Sequence, residues 1–128
     1  MRNYQPKKNN PYHLDHNLFI RMIYIVRDYK RMKDVIEELS GDLPVGGENI
    51  PGSEHGDPTL SKVIRIERMY EECRAIENAL EKIPEEYRKF VFDKICFDKA
   101  YPLYADPSTY SRHKCRFLYH IAKNLMYI

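Results

Sequence analysis

Two apolar stripes in heptad spacing constrain this chain more than anything else in it. Leu18, Met22, Ile25, Tyr29, Met32, Ile36 and Leu39 follow one another at intervals of four, three, four, three, four and three, which puts them on one side of an α-helix. Such a helix needs an apolar partner. A second stripe, Ile66, Met69, Cys73, Ile76, Leu80 and Ile83, has the same alternation and a similar length. Joined by a loop, the two pair most simply as an antiparallel αα-hairpin, within one chain or across a homodimer. Gly41 ends the first helix, and the stretch from Leu43 to Gly56 holds all the remaining glycines and two prolines, the composition of a mobile loop open to proteases. Asp57 then caps and Pro58 opens the second long helix.

Pro84 starts a third helix running to about Phe97, with Tyr87, Val91 and Ile95, and Phe90 beside them, able to face the end of the chain. Residues 98–106 follow as a connector, in which Pro102 permits at most a short turn of helix. Asp106 suits the cap and Pro107 the first position of a last helix, whose apolar stripe is Tyr110, Phe117, Ile121 and Leu125. Its other side offers Thr109, Arg112, Arg116, Tyr119 and Lys123 to solvent. The expected fold is all-α: a flexible basic arm at 1–13, a long helical hairpin at 14–83 with a mobile loop at 41–57, and a helix-turn-helix head at 84–128.

The net charge of +2 conceals an uneven distribution. From Pro107 to Ile128 the chain carries Arg112, Lys114, Arg116 and Lys123 and no acidic residue, whereas Glu37, Glu38, Glu67, Glu71, Glu72, Glu77 and Glu81 lie on the earlier helical patterns. A local surplus of positive charge marks a polyanionic partner, although a solvated basic helix has the same composition. The order helix, short connector, helix is that of a helix-turn-helix. In that arrangement Ser108, Thr109, Arg112 and His113 lie in the first two turns, where base edges of double-stranded DNA are read. Arg116, Tyr119 and Lys123 lie further along, where phosphates are met.

Other chemistry is sparse. His13 and His16 share a helix face but lack further ligands nearby, so a solvated helix start and no metal site is expected. Cys115 lies between His113 and His120 at spacings that do not converge on one ion, which leaves it a packed thiol. The loop glycines lack a following Lys-Ser/Thr pair and form no phosphate cradle. Glu85 and Glu86 suit a helix N-terminus electrostatically. With no nucleophile, base and orienting group in one place, neither an enzyme nor a cofactor is expected. Cys73, Cys96 and Cys115 contain no C-x-x-C pair, as in a reducing compartment, and the longest apolar stretch, Leu18 to Val26, is broken by Arg21 and too short to span a bilayer. The first eleven residues are basic without the apolar run of a secretory signal, so a cytoplasmic location away from membranes is expected.

Five segments also carry a family likeness: GDPT at 56–59, AIENALEKIP at 75–84, IPEEYRKFVFDKI at 83–95, YP at 101–102 and TYSRHKCRFLYHIAKNL at 109–125. Together they resemble the RinA-type transcriptional regulators of Firmicutes phages and prophages, whose C-terminal part is similar to region 4 of sigma-70 factors, the helix-turn-helix that reads promoter DNA. The likeness covers most of residues 15–128. It implies activation or control of a phage late operon in the bacterial host cell, with Thr109, Tyr110, Arg112, His113 and Arg116 at recognition-helix positions. No segment resembles the promoter-melting parts of a sigma factor, so the implied partner is host RNA polymerase or a resident sigma factor. Two other readings share the helical pattern: a DNA-packaging protein of the small-terminase kind, assembled into rings, and a helical protein-interaction module whose basic stripe binds an acidic partner.

Overall fold

A computed structural model describes residue 5 and residues 9–41, 58–102 and 106–128 of the chain. Among these residues are five helices and no strand: α1 (His16–Arg27), α2 (Tyr29–Gly41), α3 (Pro58–Leu80), α4 (Glu85–Phe97) and α5 (Pro107–Asn124). The fold is all-α. The loop expected from Leu43 to Gly56 lies outside the described residues.

The first heptad stripe spans two helices, not one. At the junction the hydrogen-bond ladder is bifurcated: the Asp28 N–H is shared between the carbonyls of Tyr24 and Ile25 at 3.1 Å each, and its own carbonyl accepts from Met32 N–H at 2.9 Å. Met22 and Met32 are buried, and Leu18, Ile25, Tyr29 and Ile36 pack against the core. Beside this stripe α1 carries a second apolar row, Phe19, Ile23 and Val26, all buried as well. An apolar arc that wide cannot be covered by one neighbouring helix. Accordingly α2 packs along α3, with the Tyr29 hydroxyl donating to Glu77 Oε2 at 2.6 Å, whereas α1 packs principally on α5 and α4.

Around α5 the other elements gather: it packs on α1, α3 and α4. Tyr110, Phe117, Leu118, Ile121 and Ala122 are fully buried, with Cys115 and Lys114 close behind. Polar ties fix the corners. Arg88 of α4 donates to the carbonyls of Ile83 and Glu81 in the turn that follows α3, at 2.8 and 3.2 Å. Arg27 donates from α1 to Ile95 O at 2.9 Å, and Asn124 donates from α5 to Ala75 O at 3.1 Å. One contiguous apolar cluster takes residues from all five helices. The boundary expected at residue 84 therefore divides no core, because the apolar side of α5 is too broad for α4 alone.

The end of the expected arm is tied down. Gln5 donates its amide to Leu14 O at 2.6 Å and accepts from Leu14 N–H at 3.0 Å, and Leu14 is buried. Tyr12 packs edge-on against Tyr119 of α5, with ring centroids 5.3 Å apart. What composition marks as polar and basic is held here by one aromatic ring and one amide.

Candidate nucleic-acid interface

The start of α5 is built as its sequence dictates. Asp106 is extended (φ −65°, ψ 134°) and its carboxylate accepts from Ser108 N–H at 2.9 Å, which holds it below the ordinary carboxylate range; Pro107 occupies the first turn, where no N–H is needed. Ser108 and Arg112 are exposed and Thr109 is half-buried, so the first turns offer a polar edge to solvent. Lys123 is exposed at the far end.

Tyr110 has no place on that edge. It is fully buried, stacked on Tyr101 of the connector (4.3 Å, 8° between planes) and met edge-on by Tyr87 and Phe90 of α4 at 5.4 and 6.3 Å. The recognition-helix position that the family likeness implies for it is thus an anchor joining α4, the connector and α5. Lys114, one of the four cations of the segment, also faces inward: it is 6% exposed, its ammonium lies 5.7 Å from the Phe19 ring, and burial lowers its pKa. Helical geometry accounts for both, since positions 110, 114, 117, 118 and 121 share the side of α5 that meets the core.

The remaining residues of the solvent side are drawn together by aromatic contacts. His113 stacks on Tyr87 at 4.5 Å, the Arg116 guanidinium lies 5.7 Å from the Tyr12 ring, and Tyr119 and His120 both contact Tyr12. His113 and His120 are both held below the ordinary imidazole value of 6.5, first by burial and then by the charge of Arg116, with Lys82 and Lys123 adding to the effect on His120 and Glu86 opposing it on His113. Neither Arg112, Arg116 nor Lys123 is in an ion pair among the described residues. The result is a strip of three cations and two imidazoles whose charging is disfavoured, open at its two ends and covered by Tyr12 in the middle.

Periodicity finds the side of α5 that carries this strip but misses Tyr12, Asn9 and Asn10, which approach it from more than a hundred residues away. An aromatic residue amid a polar arm was the only signal available. Among the described residues no cluster of three or more metal-ligating side chains occurs, and no helix is long and apolar enough to cross a membrane. No sequence-family model, curated protein or solved structure matches this chain.

Proposed function

We propose that this protein is a DNA-binding regulator of transcription of phage genes, with α4, the connector and α5 acting as a helix-turn-helix and α5 as its reading element. The observation that carries the reading is the acid-free solvent side of α5, where Arg112, Arg116 and Lys123 lack ion-pair partners among the described residues. Support also comes from the position of α5, whose apolar side is held by three helices while its first turns stay open. The likeness to RinA-type regulators points the same way and would make host RNA polymerase or its sigma factor the protein partner.

Distance divides the labour along the helix. Arg112 and Lys123 are separated by eleven residues, or about 16 Å of helix rise, more than the roughly 12 Å width of the major groove. When the first turns enter the groove, Ser108, Thr109 and Arg112 reach base edges and Lys123 meets the flanking backbone. Arg112→Ala should then cost about 1–3 kcal/mol on the preferred site and relax preference at one base position. Lys123→Ala should weaken all duplexes alike and reduce the slope of log affinity against log salt by about one. Fluorescence anisotropy over a salt series, on a selected and a scrambled duplex, measures both. Absence of salt-dependent binding to any duplex would refute the reading.

A further inference from the structure

Between the arm and α5 a pocket of about 540 Å³ opens, lined by Asn9, Asn10, Tyr12, Arg112, His113 and Arg116. No carboxylate among the described residues lines it. Arg112 and Arg116 stand one helical turn apart, a spacing at which like charges repel, and no acidic side chain among the described residues is within ion-pair distance of either. The acids coupled to these groups act from outside the lining: the charge of Arg112 helps to hold Asp106 low, and Glu86 opposes the lowering of His113. Arg116 Nε is buried and has no hydrogen-bond partner among the described residues. A buried guanidinium donor left without an acceptor costs free energy that a bound anion would recover.

The arm forms a shaped wall to this pocket. Asn9 is in the left-handed region (φ 55°), Asn10 Oδ1 accepts from Tyr12 N–H at 3.0 Å, and the Tyr12 ring seats against both Tyr119 and Arg116. Two guanidinia on one side and an exposed amide on the other give planar, multiple N–H donors around a space large enough for a tetrahedral anion.

The geometry points to a phosphate-binding pocket in which the Arg116 guanidinium takes the oxygens of one phosphate group beside the base-reading Arg112, with Asn9 on the opposite wall, the phosphate being supplied by the backbone of the DNA that α5 reads. This inference deepens the DNA-binding reading of the same face and rests on it for the source of the phosphate. A free phosphate or phosphomonoester has the same chemistry and is the other source.

The test uses the full chain and two arms. In the first, inorganic phosphate is titrated against chloride at equal ionic strength while the Arg116 Nε–Hε and Asn9 amide resonances are followed by NMR; both should shift, and the amide of Lys33 on α2 should not. In the second, duplex affinity is measured for wild type, Arg116→Gln and Asn9→Asp. Asp tolerates the left-handed conformation as Asn does, so Asn9→Asp should melt like wild type while placing a carboxylate at the rim. It should lower duplex affinity at least threefold, and Arg116→Gln should reduce the salt slope by about one. Phosphate shifts without duplex binding by wild type would keep the pocket, assign it to free phosphate and end the DNA reading. An Arg116 resonance indifferent to phosphate overturns the pocket; duplex binding that is equal in wild type and Asn9→Asp overturns the backbone as its source and leaves the DNA reading intact.

Discussion

Tyr110 and the two histidines of α5 show how far one side chain's neighbours decide its role. Tyr110 closes an aromatic cluster with Tyr87, Phe90 and Tyr101, and each well-oriented ring pair adds about 0.5–1.5 kcal/mol beyond the area it buries. Tyr110→Ala should therefore cost about 3–5 kcal/mol in urea denaturation, the range of large aromatic deletions, and a loss below 1 kcal/mol would deny it the anchoring role. His113 and His120 have folded-state pKa values depressed below 6.5, so near and below that value the unfolded chain binds more protons than the folded one. Their contribution to stability is present above pH 6.5 and is lost as pH falls through the folded values. The melting temperature should decline on that limb well before the aspartates lowered from 3.8, Asp28, Asp98 and Asp106, begin to protonate. Replacing both histidines by Gln should flatten the decline between pH 6.5 and 5, and an unchanged profile would place the acid limb elsewhere.

At the scale of elements, α5 is divided between two tasks. Its core side is filled by Tyr110, Phe117, Leu118 and Ile121, and its solvent side keeps the three cations that face outward. The cap at Asp106 matters to both, because it fixes where the first turn begins and hence where Ser108 and Arg112 project. Asp106→Ala should lower the melting temperature and Asp106→Ser should largely restore it, since a serine oxygen can accept the same N–H. If alanine and serine behave alike, the effect is one of charge rather than capping. On either side of Asp28 the first stripe serves different neighbours: α1 packs on α5 and α4, and α2 on α3.

Across the molecule, the shared core makes the C-terminal half dependent on the rest. A fragment of residues 84–128 keeps the contacts between α4 and α5 but leaves the sides of α5 that meet α1 and α3 uncovered. Chains of this size rarely bury enough surface to fold alone. The fragment should show no cooperative thermal transition by circular dichroism, whereas the full chain should unfold in one. A folded fragment would mean that α4 and α5 form an autonomous head.

The sequence by itself determined that the fold is all-α, through apolar periodicity, where α4 and α5 begin, through their prolines and the Asp106 cap, and which side of α5 turns away from the core. Those are local consequences of 3.6 residues per turn, of Asp106 as cap and of Pro107 in the first turn. Heptad counting could not tell that Phe19, Ile23 and Val26 are buried with the stripe, because a second apolar row has meaning only when a second neighbour exists. It left Lys114 off the solvent side of α5, but could not tell that its ammonium lies against the Phe19 ring of α1. The pocket was illegible for the same reason: Asn9 and Tyr12 are brought to Arg116 by the packing of Tyr12 on Tyr119, a contact between segments more than a hundred residues apart. Chain-local patterns record which elements form, and only the tertiary structure decides which of their side chains meet.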